Sequence, residues 1–239
     1  MTHTDLAIAA WNSSGAAHRK VRVLDEMLHP DVLVLSEMAK PEVLVQKGFD
    51  LAPWDVLWCG RDPNKGLGVL VRRPLRLTAL ADPTGPLLEW VLPVRVSDGN
   101  HPLLTVIAVW AANQRAVFRH PPEPVDRQAT QAAVVYREHV VGGPPTIVIG
   151  DFNNGPAWPV ATRRRGWSDT LAAWAEHDIV QQGDKESRSF RQNDKTYWVD
   201  HLLAPDAIVT NCTIHAADDW DSDHGPVAAV LSLPGALNA

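Results

Sequence analysis

The apolar residues of this 239-residue chain come in short runs, and several of those runs end on the same few polar types. Residues 6–11 run into Asn12. Residues 32–35, bounded by Pro30, run into Ser36-Glu37. Residues 146–150 run into Asp151-Phe152-Asn153-Asn154-Gly155. Asp200 and His201 lie inside residues 197–203, and Asp223-His224 stand just before residues 227–233. Short apolar runs bounded by Pro, Gly and Asp read as buried strands. Helices fall between them. Ala17, Val21, Leu24 and Leu28 recur at helical spacing, Ser13 or Ser14 offers an N-cap, and His29-Pro30 stops the helix. That opening is a βαβ-sized unit.

Further on, residues 66–72, 75–80, 90–96 and 103–110 read as strands. Residues 124–141 read as a helix stopped by Pro144-Pro145, and residues 167–176 as another. Residues 197–203, 208–215 and 227–233 are late strands. No repeat, low-complexity tract or linker interrupts residues 1–239, so one domain with helices outside packed sheets is expected.

Composition narrows the classes. Charged residues make up 21% and no apolar run nears the ~18 residues of a membrane span, so no membrane role is expected. Met1-Thr2-His3-Thr4-Asp5 lacks the basic start of a signal peptide, and a cytoplasmic location is the simplest expectation. Two cysteines, Cys59 and Cys212, exclude a disulfide framework or a four-cysteine zinc site. A net charge of −6 argues against a protein held on nucleic acid by bulk charge.

A single strand-end carboxylate is ordinarily a cap or turn residue. Asn12, Glu37, Asp151, Asn153, Asp200, Asp223 and His224 at successive strand ends are a different matter, because strand ends along one sheet edge converge on one pocket. Oxygen donors with a histidine nearby suit Mg²⁺ or Mn²⁺ better than zinc. A cation in such a site suits phosphoryl chemistry, where it offsets developing negative charge.

Trp11-Asn12, Leu35-Ser36-Glu37, Gly150-Asp151-Phe152-Asn153, Val199-Asp200-His201 and Ser222-Asp223-His224-Gly225-Pro226-Val227 are present in that order. The set resembles the successive motifs of the endonuclease/exonuclease/phosphatase superfamily, over nearly the whole chain from Leu6 to Leu233. The resemblance implies a four-layer α/β/β/α sandwich of two mixed β-sheets flanked by helices. It implies a divalent metal, Mg²⁺ or Mn²⁺, held by Glu37 with Asn12 and Asp223. Asp151 would activate the attacking water, Asn153 would bind the scissile phosphate, and His224, oriented by Asp200, would stabilise the transition state. His201 has no such role and reads as a packed histidine.

Two positions depart from the superfamily pattern. Trp110 stands where nucleases carry a Tyr or His; its indole N–H can donate to phosphate but supplies no phenolate. Asn113, three residues on, keeps the expected Asn and would orient Asp151. Ser14 stands where many nucleases carry a further acidic ligand, and an N-cap is the favoured reading there.

The resemblance specifies the chemistry more tightly than the substrate. Nucleic acid, DNA first, would need a basic rim and stacking aromatics. Arg163, Arg164, Arg165 and Arg188 are the candidates, with Arg72, Arg73 and Arg191 as further cations and Trp158, Trp167 and Trp198 as stacking groups. Solvated arginines and packed tryptophans are the plain alternatives. A small soluble phosphoester, such as a nucleotide or inositol phosphate, is the rival substrate, and no obligate protein partner is implied. A catalytically silent binding module would have lost Glu37, Asp151 or His224, and all are present. A zinc hydrolase built on His215, His224 and Asp223 lacks a His-x-x-x-His helix.

Overall fold

A computed structural model describes residues 3–82, 88–99, 101–111, 125–156, 161–184, 188–220 and 222–234. In chain order the strands and helices are β1 (His3–Asn12), α1 (Ala17–Leu28), β2 (Val32–Met38), α2 (Pro41–Gln46), β3 (Trp54–Asp62) and β4 (Lys65–Arg72). Next come β5 (Arg76–Ala79), β6 (Val91–Asp98), β7 (His101–Trp110), α3 (Val125–Val135), α4 (Arg137–Val140), β8 (Thr146–Asp151) and α5 (Ala161–Ala175). The last part holds β9 (Val180–Gln181), β10 (Phe190–Gln192), β11 (Lys195–Tyr197), β12 (Asp200–Ala204), β13 (Val209–Ile214) and β14 (Val227–Pro234).

Two six-stranded sheets face each other, with strand orders β13-β14-β1-β2-β4-β3 and β5-β6-β7-β8-β12-β9. Each is mixed in the same way: one central parallel pair, β1 with β2 or β7 with β8, sits among antiparallel neighbours. Strand alternation then sorts the side chains into layers. Ile8, Ala10, Val32, Val34, Ile147, Ile149 and Leu202 fill the space between the sheets. Ala9, Trp11, Leu33 and Leu35 turn outward onto Ala17, Val21 and Leu24 of α1. Ile107, Val109, Val148 and Leu203 turn outward onto α3 and α5, where Trp174 is fully buried and donates its Nε1–H to Ala129 O at 3.0 Å. The result is the expected four-layer α/β/β/α sandwich.

Several local expectations change. The strand expected over 197–203 is two strands in two sheets: β11 pairs with β10 in a small hairpin, and β12 enters the second large sheet. Trp198 and Val199, both buried, make the transition. The helix expected over 124–141 splits at Tyr136, whose φ and ψ of −103° and 16° leave the helical range. α5 begins at Ala161, well before Trp167, because the arginine run at 163–165 is itself helical. Neither Ser13 nor Ser14 caps α1. Ala16 holds the N-cap position without a side-chain bond, and Ser13 Oγ donates instead to Ser36 O at 3.0 Å. The short helix α2 and strands β3, β9 and β10 were not anticipated. No described helix is long and apolar enough to cross a membrane.

Candidate active site

The central parallel pairs bring their C-terminal ends to one edge of the sandwich. β1 ends at Asn12, β2 reaches Glu37, β7 ends at Trp110 and β8 ends at Asp151. Antiparallel β12 begins at Asp200, directly opposite Asp151 in register. Asp200 shares the face of Leu202, so its carboxyl lies on the inter-sheet side.

Glu37 sits in a bulge. Ser36 pairs with Leu67 and Met38 with Gly66, so Glu37 is the extra residue, at φ 56°. The bulge restores Met38 to the outer layer with Leu33 and Leu35. A Cβ on Gly68 would strike Met38 Sδ, so Met38 packs directly against the glycine. The kink also sets Glu37 beside Asn12, whose Nδ2 lies 3.5 Å from Glu37 Oε1 and donates to Asp151 Oδ2 at 2.9 Å. Asn12 Oδ1 accepts from Ser14 N at 3.0 Å, which fixes the amide orientation.

Asp151 is fully buried and accepts three N–H groups at good distance. Besides Asn12, Asn153 donates its backbone N–H to Oδ1 at 2.8 Å and its Nδ2–H to Oδ2 at 2.9 Å. Burial pushes its pKa up and the neighbouring Asp200 adds to this, to about 7, against the smaller opposing effects of His224 and these donors. His224 Nδ1 donates to Asp200 Oδ2 at 2.9 Å in a buried pair. Burial alone would lower the His224 pKa; Asp200, Asp151 and Asp223 together outweigh it and raise it to about 9. Asp223 is exposed; desolvation of its carboxyl presses its pKa upward, yet His224, the Ser14 hydroxyl and Lys20 carry it below the ordinary value.

The His224 loop is tied down from several sides. Its carbonyl accepts Trp11 Nε1–H at 2.6 Å, and its ring packs on Phe190 at 4.5 Å. Ser189, fully buried, clamps both halves of the pair. Its Oγ accepts Asp200 N at 3.1 Å, and its carbonyl accepts Gly225 N at 2.6 Å.

A model of the Endonuclease/Exonuclease/phosphatase family matches residues 9–224, the stretch that carries all of these groups. The chain belongs to that family. Among solved structures it is similar to the 3′ phosphatase NExo from Neisseria bound to product DNA hairpin, with TM-score 0.66 and 20% identity over 94% of this chain and 98% of that one. It is similar to the endonuclease domain of TRAS1, a telomere-specific non-LTR retrotransposon, with TM-score 0.70 and 14% identity over 96% and 99%. An AP endonuclease from Archaeoglobus fulgidus gives TM-score 0.64 and 15% identity over 95% and 99%. At these identities the likeness is one of fold. No functionally curated protein matches the sequence.

The fold thus brings together Asn12, Glu37, Asp151, Asn153, Asp200, Asp223 and His224. Among the described residues, Asp151, Asp200 and His224 form a compact group of candidate metal donors, with donor atoms within 4.8 Å of one another. The side chains of Glu37, Asn12 and Asp223, the set expected to hold the metal, lie around it. Asp223 Oδ1 accepts Ser14 Oγ–H at 2.9 Å, and Glu37 Oε2 meets Lys65 Nζ at 2.9 Å. Two buried carboxylates stand near one imidazole, which bonds Asp200, and Glu37 and Asp223 add more acid nearby. That surplus of oxygen donors and negative charge fits Mg²⁺ or Mn²⁺.

Trp110 neighbours Asp151 in register, but its indole is buried in the inter-sheet core, edge-on to Trp90 at 5.0 Å. It forms a wall of the core, and its buried Nε1–H has no partner among the described residues. Arg164 and Arg165 are exposed on α5, in the helix layer, and Arg188 is half-buried directly before Ser189. Asn113, Trp158 and the Arg163 side chain lie outside the described residues. Trp167 and Trp198 are buried and pack against His201, Trp167 stacked and Trp198 tilted, rather than lying on a surface. The sequence reading missed Lys65, Ser189 and the Ser14–Asp223 contact. Asn64-Lys65-Gly66 does signal a hairpin, but its position opposite Glu37 follows only from the pairing of β2 with β4.

Proposed function

We propose that this chain, acting as one catalytic domain, is a Mg²⁺- or Mn²⁺-dependent phosphoesterase that hydrolyses phosphodiester bonds of nucleic acid, DNA first. The observation that carries the reading is the buried Asp200–His224 pair set against Asp151, with Asn12 and Asn153 on the same carboxylate. Burial makes a cationic imidazole such as His224 act more strongly on an anionic centre than it would in water.

Glu37, with Asn12 and Asp223, would hold the divalent cation, which when bound would supply charge neutralisation and polarisation of the phosphate. Asp151 takes a proton from the attacking water, a task suited to a carboxylate whose basicity is raised by burial. Asn153 donates to a phosphate oxygen. Asp200 fixes His224 with Nδ1–H toward itself, which leaves Nε2 to serve the phosphoryl oxygen as charge builds there. Water attacks the phosphorus in line as the opposite P–O bond breaks, the leaving oxygen takes a proton from solvent water, and no covalent enzyme intermediate is required. Asn113 would help orient Asp151; Trp110 bounds the site. Arg163, Arg164, Arg165 and Arg188 are the proposed grips on the substrate backbone, and the place of work is proposed as the cytoplasm.

A substrate panel tests the reading: abasic duplex, plain duplex, single-stranded DNA, RNA, dinucleotides and inositol phosphates, with Glu37→Gln as blank. Hydrolysis of a nucleic acid that EDTA abolishes and Mg²⁺ or Mn²⁺ restores is expected. Hydrolysis confined to small phosphoesters would reject the nucleic-acid substrate, and full activity in EDTA or in Glu37→Gln would reject the mechanism.

A further inference from the structure

Lys65 stands first in β4, and its surroundings brace it there. In the turn before it, Asn64 N donates to Asp62 Oδ1 at 2.9 Å, and Pro63 O accepts Lys40 N–H at 2.7 Å. Behind it, Gly66 has no room for a Cβ, since Cys59 O and the Trp58 ring occupy that space. Trp58 in turn donates Nε1–H to Met38 O at 3.0 Å, which ties the hairpin to the Glu37 bulge. The ammonium meets Glu37 Oε2 at 2.9 Å, with side chains 30% and 22% exposed. Both side chains are only partly exposed, so this pair is less screened by solvent than an ordinary surface salt bridge.

The charge arrangement gives the pair a purpose. Acids Glu37, Asp151, Asp200 and Asp223 line the site, with His224 as the cation on the Asp200 side and Lys65 as the cation on the Glu37 side. A carboxylate that takes a divalent cation cannot also keep an ammonium close without crowding like charges. A lysine is a compact charge on a flexible four-carbon stem and can move to another anion within its reach. The anion that a phosphoesterase brings to that place is the substrate phosphate.

We propose that Lys65 is a phosphate-contact residue that rests on Glu37 until a divalent cation is seated there, and that its released ammonium then binds a non-bridging phosphate oxygen. The proposal rests on the phosphoesterase reading above. It makes Lys65 oppose the metal before substrate arrives and favour substrate once the metal is bound.

Calorimetric titration of Mn²⁺ into substrate-free wild type, Lys65→Met and Lys65→Arg tests the first half. Lys65→Met is expected to bind Mn²⁺ roughly tenfold more tightly, the scale of one charge-assisted hydrogen bond removed from competition. Equal or weaker Mn²⁺ binding by Lys65→Met overturns the resting contact. Titration of thymidine 5′-monophosphate into the Mn²⁺-loaded proteins tests the second half. Lys65→Met is expected to bind roughly tenfold more weakly, with Lys65→Arg near wild type. Equal nucleotide binding by wild type and Lys65→Met overturns the phosphate contact. If Mn²⁺ binding changes as expected but wild type hydrolyses no phosphoester, the phosphoesterase reading fails while the Lys65–Glu37 exchange stands.

Discussion

His201 and His224 are both buried, and each belongs to the apparatus around β12, yet their surroundings leave one neutral and make the other a cation. His201 Nε2–H donates to Asn154 O at 2.8 Å, and its Nδ1 accepts from Gln181 Nε2 at 3.1 Å. Trp167 stacks on the ring at 4.0 Å, Trp198 lies at 4.9 Å and Phe152 at 5.5 Å. Burial drives its pKa down to about 3, and the bond to Asn154 O only partly offsets this. His224 faces carboxylates and is raised to about 9. Burial acts on both rings in the same direction; what differs is the partner. A carbonyl and aromatic faces leave an imidazole neutral and structural, whereas a buried carboxylate makes one a held cation. Strand alternation separates the two roles, since Asp200 turns to the site and His201, its neighbour in sequence, turns to the helix layer.

The largest expected effect tests this contrast directly. His224→Gln keeps an amide donor for Asp200 but loses the imidazole, and kcat should fall about a thousandfold. His201→Gln should leave kcat within tenfold of wild type. Steady-state kinetics on the substrate found by the panel decides it, and a His201→Gln as inactive as His224→Gln would break the contrast. Asp200→Asn comes next. It keeps a hydrogen-bonding group of the same shape but removes the charge that sustains the imidazolium, so kcat should fall about a hundredfold with KM little changed. Unchanged kcat would show that His224 needs no carboxylate.

The stability side of the contrast belongs to His201. His201→Ala empties an aromatic cage and leaves Asn154 O without its donor, so a loss of about 3 kcal/mol is expected. Urea unfolding with an unchanged slope would measure it. The pH dependence has a definite sign. Below pH 6.5 the unfolded chain protonates His201, while the folded state resists until about pH 3. Stability from this group is therefore complete above pH 6.5 and is lost as pH falls through that window, by at most about 1.4 kcal/mol per pH unit. Wild type should lose that much more than His201→Gln between pH 6.5 and 4.5. Parallel curves would mean that His201 is not neutral in the fold.

Much of this was legible in the sequence because strand ends are local events. Asn12, Glu37, Asp151 and His224 each interrupt or flank an apolar run, and the order of β1, β2, β8 and β14 followed from those runs. The runs implied helices outside packed sheets, while the four layers came from the family resemblance. What stayed hidden depends on pairing between distant segments. Ser189 gains meaning only when β12 and the His224 loop meet on it, and Lys65 only when β4 lies against the Glu37 bulge. The split of β11 from β12 was hidden for a related reason. Tyr197 to Leu203 is one apolar stretch, and the change of sheet depends on where Trp198 finds its core.

Ser14 offers the smallest effect and a sharp choice between local and distant control. Its position before α1 suggested an N-cap, whose removal costs about 1 kcal/mol. In the structure Ser14 has φ 47° and its hydroxyl donates to Asp223 Oδ1, an exposed contact 209 residues away in sequence, while α1 starts from Ala16 without a side-chain cap. Asp223 also accepts a longer contact from Ser222 Oγ at 3.4 Å, so it keeps a partner when Ser14 is trimmed. Ser14→Ala should therefore move thermal stability by less than about 0.5 kcal/mol, the scale of an ordinary surface substitution. Its effect should appear instead as a few-fold change in Mn²⁺ affinity, because Asp223 loses the donor that fixes its carboxylate. A loss near 1 kcal/mol with unchanged Mn²⁺ affinity would return Ser14 to the helix and remove it from the site.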